Sequence, residues 1–137
     1  MLADTSFIID VMRGEENAVR KVDELEKDDK PLNITSISLF ELYSGIGQVE
    51  KTEKEKEKIQ EVLRSRAVYE FDRIAGEIAG RIDGMLCNEG KMVEPQDSMI
   101  SGIAIRENEK ILTRNLDHFR RISDISTLNV EKIEAEE

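Results

Sequence analysis

The sequence predicts a single α/β domain spanning residues 1–137, built on a central, mainly parallel sheet of about five short strands with helices on both faces. Three observations predict it. Short apolar and β-branched runs alternate with stretches whose apolar residues recur at helical spacing. Each pair of strand candidates is separated by enough chain for a crossover helix, which parallel neighbours require. The length of 137 residues lies near the commonest size for one domain, and neither a linker nor an internal repeat interrupts it.

Met1, Leu2 and Ala3 read as a first buried strand, and Asp4, Thr5 and Ser6 bring capping chemistry to a helix carrying Phe7, Ile8, Ile9 and Val11, closed by Gly14. A surface helix follows from Glu15 to Asp29, with Ala18, Val19, Val22 and Leu25 on its apolar stripe. Pro31 breaks it. Leu32 to Thr35 form the second strand, leading through Ser36 into a helix over Ile37 to Gly45. Glu and Lys alternate from Glu50 to Lys58, as on a solvated helix laced by opposite charges.

Ala67 to Phe71 are the third strand candidate, and Asp72 caps a long helix whose apolar face is Ile74, Ala75, Ile78, Ala79, Ile82, Met85 and Leu86. Gly76, Gly80 and Gly84 share one stripe of that helix, where a second helix is expected to approach closely. Pro95 starts another helix, running to Asn108 through Met99, Ile100, Ile103 and Ala104. Ile111 to Thr113 form the fourth strand, a short helix carries Phe119 and Ile122, and Thr127 to Val130 supply the last strand before an acidic tail expected to fray.

Aromatics are 4% of the chain and Trp is absent, so the core rests on aliphatic side chains. The formal net charge of -10 argues against non-specific adhesion to nucleic acid, which needs surplus Lys and Arg. Acids gathered around divalent cations would soften that objection, since each ion brings two positive charges. The single cysteine, Cys87, excludes an intramolecular disulfide and is expected to pack on a helix face. No apolar run approaches a membrane span, so a soluble, cytoplasmic protein is expected.

In such folds ligands bind beyond the carboxyl ends of the strands. Asp4 lies there after the first strand, and Asn115 and Asp117 lie there after the fourth. Glu41 interrupts an otherwise apolar helix beside the small residues Ser38, Ser44 and Gly45, and Asp97 sits in the first turn of its helix with Ser101 one turn on. Each has a plainer reading: Asp4 as a cap, Asp97 as a complement to the helix dipole, Glu41 and His118 as surface residues, Thr113 as a β-branched strand residue. Arg13, Arg114, Arg120 and Arg121 are the cations placed to engage a substrate near this edge, or to serve as solvated surface.

The strings LADTSFIIDVM, SISLFELYSG, EPQDSMISGIAI and ILTRNLDHF, in this order and at these separations, resemble the PIN-domain family, and within it the VapC-type toxins of prokaryotic toxin–antitoxin pairs. The resemblance covers nearly the whole chain. It implies a PIN-like fold and a metal-dependent ribonuclease working with Mg2+ or Mn2+, often homodimeric and held inactive by a cognate antitoxin protein. It matches Asp4, Glu41 and Asp97 to the family's metal-binding acids, and Ser6 and Thr113 to its supporting polar positions. Where many relatives carry a further acid this chain has Asn115, so that either Asp117 substitutes or Asn115 binds through its carbonyl or a water.

Magnesium suits such a set, because it prefers oxygen ligands in an octahedron and keeps several waters. Two other readings compete. A receiver-like signalling domain would use Asp72 as phosphoacceptor, although the acidic pair and the lysine of such domains are missing around Asp4 and Thr113. A catalytically inactive PIN-like binding module would keep the fold without the chemistry, with Asn115 as its main support.

Overall fold

A computed structural model of the protein describes residues 1–47 and 52–133. Strand β1 (Leu2–Ala3) is fully buried and passes through Asp4 into helix α1 (Thr5–Met12), after which Gly14 turns the chain with φ +73°. Helix α2 (Glu16–Lys27) buries Ala18, Val22 and Leu25 while Val19 stays exposed. Strand β2 (Ile34–Thr35) leads directly into helix α3 (Ser36–Ile46), whose cap is the Thr35 hydroxyl, accepting from the Ser38 amide. Helix α4 (Thr52–Leu63) carries the charged stretch, anchored by the fully buried Ile59; Glu50 and Lys51 lie outside the described residues.

Strand β3 (Val68–Tyr69) precedes helix α5 (Arg73–Asn88), and helix α6 (Pro95–Arg106) begins at the expected proline. Strand β4 (Ile111–Thr113) matches its predicted bounds, helix α7 (Leu116–Asp124) buries Phe119 and Ile122, and strand β5 (Val130–Lys132) ends the described chain. The last strand lies further along than Thr127 to Val130. Its register decides this: Val130 to Lys132 stand opposite Ile111 to Thr113, and the Ile133 amide donates to the Thr113 carbonyl. Residues 134–137, the predicted fraying tail, fall outside the described residues.

All strand pairs are parallel. Among the described residues one sheet runs β1-β4-β5 and the other β2-β3, and a single bridge, Leu2 to Asn33, joins them into the order β3-β2-β1-β4-β5. Two backbone bonds flank it, Ala3 N–H to Asn33 O and Asn33 N–H to Met1 O, both 2.8 Å. Because successive strand residues face opposite ways, Leu2 and Ile111 enter one core with α5, α6 and α7, while Ala3 and Leu112 enter another with α1 to α4. The expected two-faced α/β layering results.

Helix α5 corrects three expectations. Its buried face is Ala75, Ala79, Ile82 and Leu86, which turns Ile74, Met85 and Cys87 to solvent. Cys87 is thus no packed thiol. Nor does its glycine stripe receive a helix, since a Cβ built on Gly80 or Gly84 meets nothing within 4 Å. The close approach falls on the partner helix at Gly102, where a Cβ would sit 2.6 Å from the Ala75 carbonyl oxygen and 2.8 Å from the Ala79 Cβ. Glycine there lets the two longest packed helices of this face touch.

Candidate active site

Asp4 sits where β1 ends and α1 starts, so its carboxylate is fixed by the cap geometry of α1. Oδ1 accepts from the Phe7 amide at 2.9 Å and from the Ser6 hydroxyl at 2.8 Å. Oδ2 accepts from the Thr113 hydroxyl at 2.6 Å, at the end of the neighbouring strand β4. Burial to 5% exposure pushes the Asp4 carboxyl above the ordinary range, against the lowering effects of Thr113, Phe7, Ser6 and His118. Thr113 in turn accepts from the Asn115 amide at 2.9 Å, which pins the start of α7 to the same point.

Glu41 reaches this edge from the middle of α3. Its Oε1 accepts from the Thr5 hydroxyl at 2.8 Å, and the Thr5 Oγ1 also lies 2.9 Å from Ser38 Oγ. Asp97 arrives from the first turn of α6, three residues after Glu94, with its carbonyl accepting from Ser101 Oγ at 2.7 Å. Its carboxyl is pushed up to about 6, first by burial and then by the negative charges of Asp4, Glu41 and Glu94, with His118 opposing. His118 Nδ1 lies 3.9 Å from Asp97 Oδ2. Asp97 therefore feels the charges of two acids from distant stretches at one sheet edge.

Among the described residues no three acids or histidines already stand close enough to enclose an ion. The donor set still fits one that keeps its waters: all-oxygen, partly desolvated and mutually repulsive in the absence of a cation. Asn115 occupies the cap of α7 without a side-chain capping bond, and its backbone amide is held by Thr113, the residue that also donates to Asp4. Asp117 differs. Its side chain is 87% exposed and faces Arg120 across 3.6 Å, on the rim rather than in the hydrogen-bonded group.

The predicted cations divide. Arg114 Nη1 lies 3.1 Å from Oδ1 of Asp10, a residue 4% exposed on α1, so this arginine compensates a buried charge. Arg13 is exposed and lines a groove of about 350 Å³ with Glu41, Met12 and Ile59. Arg120 and Arg121 line a second cleft with Asp97 and His118. Sequence reasoning missed Thr5 and Asp10. Thr5 shared a capping string with Asp4 and Ser6, but its acceptor lies 36 positions away; Asp10 carried the signal of an acid on an apolar helix face.

Asp72 has purely structural duties. It caps α5 through the Ala75 amide and pairs with Arg106 Nε at 2.8 Å, behind an edge strand. A phosphoacceptor role is not built around it.

Known proteins resemble this chain over most of its length. The tRNA(fMet)-specific endonuclease VapC of Shigella flexneri is 27% identical over 126 residues, covering 92% of this chain and 94% of that protein. Ribonuclease VapC2 of Rickettsia felis is 28% identical over 109 residues, covering 80% and 81%. Among solved structures, VapBC2 from Rickettsia felis bound to a promoter DNA fragment superposes with a TM-score of 0.87 at 23% identity, over 97% of this chain and 98% of that one. DNA-bound VapBC from Salmonella typhimurium gives a TM-score of 0.82 at 23% identity, over 96% of each chain. The family model described as PIN domain matches residues 1–125, a span holding every acid of the site, and on that match the chain belongs to the PIN-domain family.

Proposed function

We propose that this protein is a divalent-metal-dependent endoribonuclease, the toxin of a toxin–antitoxin pair, with Asp4, Glu41 and Asp97 holding Mg2+ or Mn2+ and Asn115 or Asp117 completing the set directly or through water. The observation that carries this reading is that Thr113 and Ser6 fix Asp4, and Thr5 fixes Glu41, at one sheet edge, near enough to Asp97 for their charges to raise its carboxyl. The relatives named as VapC ribonucleases support RNA as the substrate, and the VapBC complexes support a cognate antitoxin as partner. Homodimerisation and a cytoplasmic location complete the proposal; among the described residues no helix is long and apolar enough to cross a membrane.

When bound, such an ion lowers the pKa of a coordinated water and neutralises charge developing on the phosphate. The chain's own part is placement. Ser6 and Thr113 hold both oxygens of Asp4 in one orientation, and Thr5 does the same for Glu41. Asp97 is held by the first turn of α6, which Ser101 and the Pro95 start both stiffen. Arg120 and Arg121 offer positive charge beside Asp97, where the net charge of the molecule would otherwise repel a polyanion.

The test is cleavage of labelled RNA by the purified chain with magnesium, with manganese and with EDTA, alongside Asp4→Asn and Asp97→Asn. Activity requiring metal and lost in both variants is the expected result. Activity that survives both substitutions overturns the assignment, and metal binding without cleavage selects the inactive binding module that Asn115 favours.

A further inference from the structure

Segment 92–95, the end of the α5–α6 connection with the first residue of α6, leaves Met92 68% exposed, which costs apolar hydration with no packing in return. Its backbone is fixed: Arg121 Nη1, from α7, donates to the Met92 carbonyl at 3.0 Å. Between this segment and α7 opens a cleft of about 620 Å³ lined also by His118, Arg120 and Arg121 and by three carboxylates, Glu94, Asp97 and Asp117, of which Asp117 faces Arg120. Asp97 therefore belongs to both the cleft and the acidic site, making the two continuous.

The chemistry of the walls selects an occupant. A thioether makes favourable contact with aromatic rings, and an exposed imidazole offers a flat surface for stacking. The Arg120 side chain pairs with the solvent-exposed Asp117 at 3.6 Å, a pairing weak enough for a phosphate to replace. The volume exceeds the roughly 300 Å³ at which small-ligand pockets begin. A thioether beside a planar imidazole, two guanidinium groups and continuity with the acids match one nucleotide and its phosphate.

We infer that the cleft between segment 92–95 and α7 seats one unstacked nucleotide of single-stranded RNA, adjoining the phosphate held at Asp4, Glu41 and Asp97. Met92 and His118 receive the base, and Arg120 and Arg121 its phosphate. This rests on the ribonuclease reading for the neighbouring phosphate. A base inside the cleft has left its stack, so duplex RNA is disfavoured.

The test uses the full chain with RNA carrying 4-thiouridine, irradiated in EDTA so that no cleavage is needed, with adducts mapped by mass spectrometry. Adducts are expected on residues 92–95 and 118–121, and fewer with a base-paired oligonucleotide. Adducts confined to the groove beside Arg13, or equal yields from duplex, overturn the inference, as does a lack of adducts. In the metal-loaded protein, Met92→Glu and Arg120→Glu, both at exposed positions, are expected to raise KM about tenfold with little change in kcat. Unchanged KM in both overturns it too. A chain that cross-links at the cleft yet cleaves nothing would instead refute the nuclease reading alone.

Discussion

Thr113 and Asp4, 109 positions apart in the chain, meet through a 2.6 Å hydrogen bond across the ends of two adjacent parallel strands. The contact ties the orientation of an acid to the pairing register of β1 with β4, in which Ala3 stands opposite Leu112. A sheet slipped by one residue would undo it.

Thr113→Val keeps the shape of the buried side chain and removes the donor. Without it the Asp4 carboxyl rises further, since the hydroxyl lowers it, and metal affinity is expected to fall about 10- to 100-fold. Isothermal titration with manganese reads the change; unaltered affinity would show that the bond does not orient a ligand.

The acids should make the metal-free protein sensitive to pH. Asp97 keeps its proton to about pH 6 in the fold, against an ordinary value of 3.8. Between these values the folded chain binds more protons than the unfolded one, so stability falls as pH rises from 4 to 6 and the penalty persists above. Asp97→Asn is expected to stabilise the protein at pH 7 by about 1–3 kcal/mol and to change little at pH 4. Urea melts at the two pH values test the sign.

Metal should reverse that penalty. At a hundredfold excess over Kd, a ligand specific to the native state contributes about 2.7 kcal/mol, visible as a rise in Tm. The rise is expected with magnesium or manganese, and is expected to disappear in Asp4→Asn and Asp97→Asn. Identical melts with metal and EDTA would remove the ion from the scheme.

Two glycines separate packing from propensity. Gly102→Ala places a Cβ against backbone of α5 and is expected to cost about 1–3 kcal/mol. Gly80→Ala, which meets nothing within 4 Å, is expected to stabilise by about 0.5–1 kcal/mol. Thermal denaturation of both variants decides whether the helix contact runs through α6.

Arg114→Ala strips the partner from the buried carboxylate of Asp10. A loss of about 1–3 kcal/mol is expected, with RNA binding unaffected beyond what unfolding explains. Intact stability with weakened RNA binding would return Arg114 to the substrate-facing group.

Hydrophobic spacing was enough to place the helices other than α4, because each apolar stripe reports directly on burial, whereas α4 was legible only from its alternating Glu and Lys. It was less able to say which side of α5 faces inward: Ile74, Met85 and Cys87 look as apolar in the sequence as Ile82 and Leu86, and only contact with α6 separates them. Asp4, Glu41 and Asp97 were legible as acids in places where helices and strand ends need explaining. Thr5 was not, since its role depends on Glu41, and Asp10, though an acid on an apolar helix face, could not be matched to Arg114, because no local pattern specifies such partners.

The lone bridge between Leu2 and Asn33 has a mechanical meaning. Glu41 hangs from the β2 side of that seam and Asp4 from the β1 side, so a cation drawing them inward would stitch the two halves of the sheet together. Cohesion of the fold and occupancy of the centre would then be a single property, readable in how slowly the amide hydrogens of Ala3 and Asn33 exchange with solvent.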